Sequence, residues 1–372
     1  TQVGSSAASD VYKRQEQNML RDAVSKFCET EYTFDKREKI VESNLGHSPD
    51  LWKQFAELGW LGMPFSEKNG GYDAGPIELS IIFEEFGKHL IVEPYLSNIV
   101  MSGSLLEATD TDVSRELINN IISGNKQVSF AFSEPNNGYK FHEISCSVAD
   151  NKINGTKSIV LNAEFADKFI VYLKNENNNG LYLVDADTPG LSINSFSTID
   201  GSNCGDLHFE DVSTENTVVL LSGDDATQAI DKMLDLSILC ICAEAIGGMF
   251  TSYTKTVQYT KEREQFGQPI SNFQVLQHRM VEMFMETEIA KSLLMKAMMQ
   301  LDANDKESSK TISALKAQVG KASRIVGQEA VQLHGGMGVS NEMSIGHYLK
   351  KFTAIDSMFG NRIFHLKRFT SL

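Results

Sequence analysis

The spacing of apolar residues changes period twice along this chain, and that double change admits few architectures. From residue 16 to about 124 the spacing is helical. Met19, Leu20, Ala23, Val24 and Phe27 recur at i, i+3 and i+4, the pattern of one buried helix face. Residues 51–58 repeat it and stop at Gly59, a C-cap signal. Pro76 opens a third helix carrying Ile81, Ile82, Phe83 and Phe86, which Gly87 is expected to close. From 125 to 222 the runs shorten. Segments 127–132, 157–161, 168–173 and 181–185 are rich in Val, Ile, Phe and Tyr, and turn pairs such as Asp150-Asn151, Asn154-Gly155 and Pro189-Gly190 separate such runs. From 223 helices return and lengthen. Asp224-Asp225 offers N-cap chemistry for a helix to about Lys261, followed by helices over 274–302 and 308–333. Gly320 and Gly327, seven apart on the apolar side of the last, permit close approach of a neighbouring helix. The expected fold is α+β and multidomain: an N-terminal α-helical domain over 16–124, a middle β-barrel domain over 125–222, and a C-terminal α-helical bundle over 223–372.

Residues 1–15 are set aside from that reading as a non-native, disordered tail. The string Ser5-Ser-Ala-Ala-Ser-Asp-Val-Tyr-Lys-Arg-Gln15 resembles translated sequencing-adapter sequence at the ends of metagenomic gene fragments. The N-terminus is therefore expected to be incomplete, and no targeting signal is read from it. A net charge of −15 argues against nucleic acid, whose phosphates need clustered Lys and Arg. No uninterrupted apolar run reaches the ~18 residues of a membrane span, so none is expected. Cys28, Cys146, Cys204, Cys240 and Cys242 lack CxxC spacing and read as reduced, buried thiols of a bacterial cytoplasm. No His, Cys and carboxylate cluster has metal-ligand spacing, so no metal is expected.

Two motifs narrow the reading. The first is Tyr259-x-Lys261-x-Arg263-x-Gln265-Phe266-Gly267-x-Pro269-Ile270-x-x-Phe273-Gln274; the second is Gln332-x-x-Gly335-Gly336-x-Gly338, with Glu342 beyond it. Together with the order of helices, β-domain and four-helix bundle, they resemble the acyl-CoA dehydrogenase family over residues 16–372. The resemblance implies FAD, an acyl-CoA substrate, an electron-transferring flavoprotein as acceptor, and a tetramer with each FAD between two subunits. Arg263 matches the arginine that reaches the FAD pyrophosphate. Gly335 and Gly336 match positions where bare backbone approaches the dinucleotide. Gln265, Phe266, Phe273, Gln274 and Gln332 belong to the same cofactor-binding motifs, with Phe266, Phe273 and Gln274 on the adenine side. For the flavin-ring side, Phe130-Ala-Phe132-Ser133-Glu134-Pro135 resembles the family's aromatic-x-x-Thr-Glu-Pro, with Ser133 keeping the hydroxyl. Lys157-Ser-Ile159-Val-Leu161-Asn162 stands where the family has Lys-x-Trp-Ile-Thr-Asn, so a stacking Trp and a hydrogen-bonding Thr are missing.

The family reaction removes an α-proton with a Glu while the β-hydrogen leaves as hydride to flavin. The family carries that Glu in Tyr-Glu-Gly-Thr, or in Leu-Asp-Leu-Glu-Arg-Leu on the first bundle helix. This chain reads Met358-Phe359-Gly360-Asn361 and Leu234-Asp-Leu-Ser237-Ile238-Leu239. Phe359 and Ser237 thus occupy both base positions, and Asn361 matches a flavin-contacting Thr. Glu244, two turns beyond Ser237 in an apolar run, is a candidate substitute base; a Glu hydrogen-bonded within the bundle is the plainer alternative.

Cys242-Ala-Glu244-Ala-Ile-Gly, Gly346-His347 and Ala354-Ile-Asp356-x-x-Phe359-Gly360 resemble the small subunits of pimeloyl-CoA-type dehydrogenases, which pair with a homologous larger subunit. A base-lacking subunit of a heterotetramer is therefore expected. The alternatives are a self-sufficient homotetrameric dehydrogenase or oxidase using Glu244, and an assembly subunit without its own catalysis.

Overall fold

The computed structural model describes the backbone of residues 3–43, 46–176 and 178–372, with side chains from Gln15 onward in those spans. Helices come first: α1 (Val3–Glu31), α2 (Phe34–Glu42), α3 (Pro49–Glu57), α4 (Pro76–His89), a π-helix over Tyr95–Ser102, α5 (Gly103–Thr109) and α6 (Asp112–Ile122). Strands follow: β1 (Val128–Ala131), β2 (Ser147–Ala149), β3 (Lys152–Leu161), β4 (Lys168–Leu173), β5 (Gly180–Asp185), β6 (Leu191–Ser197), β7 (Asn203–Ser213) and β8 (Val218–Ser222). The chain then forms α7 (Gly223–Glu262), the short pair β9 (Glu264–Gln265) and β10 (Gln268–Pro269), α8 (Gln274–Asp302), α9 (Ser308–His334), α10 (Ser344–Ser357) and α11 (Arg362–Ser371). Helix α1 begins at Val3, so backbone set aside as a tail continues the helix of residues 16–31. Its side chains before Gln15 lie outside the described residues.

Two compact units divide these elements, and they do not follow the three sequence segments. The helical unit holds residues 1–38, 75–91 and 238–372. Its centre is α9, whose Ile312, Leu315, Val319, Ala322 and Val326 are all buried. Gly327 lies against α10: a Cβ there would stand 2.9 Å from Leu349 and Phe352 side-chain atoms. Helices α4 and α7 cross through reciprocal glycines. A Cβ on Gly87 would lie 1.8 Å from the Glu244 carbonyl oxygen, and one on Gly247 would lie 1.9 Å from that of Glu84. Gly87 therefore does not close its helix. Helix α4 runs on to His89 and is ended by Leu90 at φ +56°, because Gly87 is needed for backbone contact. Arg21 ties α1 to α4 through Glu84 (3.1 Å) and Glu85 (2.8 Å).

One window of α7 has a mean hydropathy of 1.8, enough by length and composition to cross a membrane. Of that window 89% is buried inside the protein, as in a core helix.

The mixed unit holds residues 39–74 and 92–237. Its strands form two four-stranded sheets, β1-β4-β5-β8 and β2-β3-β7-β6, rather than one closed barrel. Among the described residues, β1 and β4 form the parallel ladder of these sheets, and the remaining ladders are antiparallel. Between the named sheets the described ladder contact is a single bridge, Ser147 to Lys174, which leaves the barrel open. Both sheets contribute to one core containing Ala131, Ile153, Val160, Phe169, Val171, Leu207 and Phe209, as alternation of inward residues requires. The π-helix docks on β1: the Asn98 side-chain oxygen accepts from the Val128 amide (2.9 Å), and the Ser102 hydroxyl donates to the Val128 carbonyl (2.8 Å).

Candidate functional site

The two cofactor-type motifs meet within the helical unit. Tyr259, on the last turns of α7, stacks on His334 at the end of α9 with ring centroids 4.3 Å apart. Burial lowers the His334 pKa, so the ring is neutral and its Nδ1 donates to the Ala330 carbonyl (2.8 Å). After His334 the backbone turns at Gly335 with φ 59° and ψ −138°, a conformation that only glycine adopts freely. Around Gly335, Gly336 and Gly267 nothing lies within 4 Å of a would-be Cβ. These backbones face open space.

The first motif is as exposed as the second. β9 and β10 are joined by Phe266 and Gly267, both at positive φ (55° and 77°), as a two-residue hairpin turn demands. Phe266 is 91% exposed and meets Phe273 edge-on at 6.1 Å. Arg263, Gln265, Gln274 and Gln332 are exposed as well. Helix α8 starts after Phe273 with no side-chain cap; the Leu276 amide donates to the Phe273 carbonyl (2.9 Å), and the Gln274 and Val275 amides lie at the positive end of the helix. An exposed guanidinium, uncapped amides and glycines in open space suit a phosphate-bearing ligand laid along bare backbone. A Cβ at either Gly335 or Gly336 would fill that space.

The corner that the resemblance aligns with the base lies in the same unit. Phe359 is buried, with φ +55°, a strained state for a bulky residue. Three side chains hold this corner. His365 Nε2 donates to the Phe359 carbonyl (3.0 Å). Lys316 Nζ, fully buried on α9, donates to the carbonyls of Asp356 (3.0 Å) and Gly360 (2.8 Å). The Asn361 side-chain oxygen accepts from the Phe364 amide (3.0 Å) and caps α11. Burial, and then the nearby Lys316 ammonium, push His365 down to about 4. The ring is thus neutral, which agrees with an Nδ1 that is buried and without a hydrogen bond.

Along α7 the other two candidates are both buried. Ser237 donates to the Met233 sulfur (3.3 Å). Glu244 is not left in a purely apolar setting: Lys351 on α10 reaches its Oε1 at 2.8 Å. The carboxylate is engaged in a buried ion pair inside the bundle.

The ring-side candidates belong to the mixed unit. Phe130 is buried and stacks on Phe132 at 5.0 Å. The Ser133 carbonyl accepts from the Ser158 amide (2.9 Å). Next to it, Glu134 accepts from the Ser145 amide (2.8 Å) and hydroxyl (2.5 Å), the Cys146 amide (3.0 Å) and Lys157 Nζ (2.7 Å). This buried pair fastens the end of β1 to β3. Two residues on, β3 bulges against β7 between Lys157 and Val160. Ile159 there has φ +54° and is 60% exposed, its amide held by Asp206 Oδ1 (3.0 Å). A β-branched residue in that state is a genuine outlier.

Sequence reasoning passed over Lys316, His365, Asp206 and the Glu134–Lys157 pair. One signal was available: Lys316 interrupts the apolar stripe Ile312, Leu315, Val319 of α9. Among the described residues, no three His, Cys, Asp or Glu side chains could hold a metal.

Comparison with known proteins finds three contiguous matches. Residues 14–125 match the N-terminal domain of acyl-CoA dehydrogenase, 129–212 its middle domain, and 227–367 its C-terminal domain. A probable acyl-CoA dehydrogenase of Bacillus subtilis, YngJ, is 29% identical over 351 residues, covering 90% of this chain and 92% of its own. The solved steroid enzyme Tcur3481-Tcur3483 superposes with a TM-score of 0.87 at 25% identity, covering 96% and 97% of the two chains. PigA with FAD and proline superposes with a TM-score of 0.88 at 20% identity over 96% and 97%, a likeness of fold alone.

Proposed function

The chain belongs to the acyl-CoA dehydrogenase family, and we propose that it takes part in FAD-dependent α,β-dehydrogenation of an acyl-CoA thioester as the base-lacking subunit of a heteromeric enzyme. The observation that carries this reading is a contrast between the cofactor-type motifs and the positions for the base. The motifs that would cradle the dinucleotide lie on exposed, open backbone, whereas Phe359 and Ser237 stand at both positions that the resemblance aligns with the base.

FAD, when bound, supplies the acceptor for the β-hydrogen. Arg263 would hold the pyrophosphate, with the backbone of Gly335 and Gly336 against the dinucleotide. Phe266, Phe273 and Gln274 would line the adenine side, with Gln265 and Gln332 in the same cofactor-binding motifs, and the resemblance assigns Phe130, Ser133 and Asn361 to the flavin side. The exposure of Phe266 and of Val339 (73%) suits a surface that a ligand or second subunit covers. A homologous larger subunit would bring the carboxylate, and an electron-transferring flavoprotein would take the electrons. The two-protein name of the steroid relative supports such pairing. Glu244 as the chain's own base is the second reading; its ion pair with Lys351 disfavours it, because proton uptake there would break a buried pair. Five free, buried cysteines suit a reducing compartment.

The test is spectroscopic. The purified chain should carry flavin absorbance and should not be bleached by acyl-CoA alone. Co-purification with a longer homologue carrying the Glu should restore bleaching. Bleaching by the chain alone, abolished by Glu244→Gln, would overturn the heteromeric reading. Arg263→Ala should weaken FAD by about ten- to a hundredfold, the value of a charge-assisted hydrogen bond, in a fluorescence titration. An unchanged affinity would remove Arg263 from the cradle.

A further inference from the structure

We infer that Lys316 is a positioning residue whose buried ammonium clamps the main chain on both sides of residue 359 and thereby fixes where that side chain sits. The functional meaning of position 359 rests on the reading proposed above; the clamp itself rests on geometry alone. Lys316 Nζ donates to the carbonyl of Asp356, three residues before Phe359, and to that of Gly360, one residue after it. A fully buried ammonium is costly to keep. Here its hydrogen bonds go to backbone carbonyls, and a methionine would fill the same volume without that cost.

The strain at the corner explains the need. Phe359 is held at φ +55°, and such states persist only where surrounding contacts over-determine them. Gly360 follows at φ +111°, where a Cβ would collide with Phe364 and His365 at 2.3 and 2.8 Å. Lys316, His365, Gly360 and the Asn361 cap together set this conformation, and none of them depends on what side chain residue 359 carries. Lys316 also lies beside Asp356, whose Oδ1 is buried without a hydrogen bond. That charge keeps the preceding end of the corner in place. The socket for a base is therefore built independently of the base, and it persists here around a phenylalanine.

Two measurements on the FAD-loaded chain test this. Amide hydrogen exchange over residues 356–361 should accelerate about tenfold or more in Lys316→Met, while exchange in the rest of α9 stays slow. Lys316→Arg, which keeps charge and donors, should restore much of the protection. Should the methionine variant not fold, Lys316→Gln serves. Faster exchange confined to 356–361 supports the clamp, and faster exchange throughout the unit overturns it. So does a folded Lys316→Met with unchanged exchange. Second, Phe359→Glu should confer bleaching by acyl-CoA without a partner carboxylate, and adding Lys316→Met should cut its rate about tenfold or more. If Phe359→Glu gives no bleaching while local exchange still depends on Lys316, the base-position reading fails and the clamp stands.

Discussion

Lys157→Met is expected to destabilise the protein by about 3–5 kcal/mol, the cost of leaving one partner of a buried ion pair uncompensated. Lys157 is fully buried and Glu134 nearly so. Without the ammonium, the carboxylate keeps the Ser145 and Cys146 donors but loses its counter-charge. Denaturant melts should show a lower midpoint with an unchanged slope. Lys157→Met combined with Glu134→Gln should recover part of the loss, because a neutral amide leaves no orphaned charge while its oxygen still accepts from the Ser145 and Cys146 donors. A single mutant as stable as the parent would show that the pair contributes little. The acid limb follows from direction. Burial works to raise the Glu134 carboxyl, and bonds from Lys157, Ser145 and the Cys146 amide outweigh it, so the pKa is lowered. Burial lowers Lys157 too, against the pair; four donors converging on Glu134 make the ionised carboxylate the form that the fold selects. A lowered carboxyl binds fewer protons folded than unfolded, so its stabilisation is present above about pH 4.3 and is lost as pH falls through the folded value. Glu134→Gln should flatten that limb.

Gly247→Ala is expected to cost about 3 kcal/mol or more, at the upper end of overpacking effects. Its added methyl would lie 1.9 Å from the Glu84 carbonyl oxygen. The obstacle is backbone, so no rotamer change relieves it; α4 and α7 must separate. Gly87→Ala meets the same crossing from the other side, 1.8 Å from the Glu244 oxygen. The two should be less than additive, because once the helices part the second methyl finds room. Thermal melts of the single and double variants check this. Strict additivity would mean that the two glycines do not share one contact.

Much of the scaffold was legible because the long helices carry an unbroken period. The expected 274–302 helix is α8 itself, and 308–333 falls one residue short of α9. The strands β2, β6, β7 and β8 were not singled out. β6 has no buried residue and carries Ser and Asn along it, so it lacks the apolar signal that marks β4 and β5. Gly87 looked like a helix stop because a cap and a close crossing use the same residue for different reasons. The partner of Glu244 lies at position 351 on another helix, and no local pattern announces a contact across such a span. The strain at Ile159 and Phe359 was equally hidden. A sequence names the side chain, whereas φ is set by what surrounds it.

The discontinuous helical unit has a consequence for how the chain comes to be folded. Residues 1–38 and 75–91 belong with 238–372, and Gly87 and Lys88 of α4 find Glu244 and Tyr348 as partners. During synthesis those apolar faces emerge long before the segments that cover them. Closing so large a loop is slow. Nascent N-terminal helices are therefore expected to wait with Ile81, Ile82, Phe83 and Phe86, buried in the finished fold, less covered, a state open to association until the segments of 238–372 have been made.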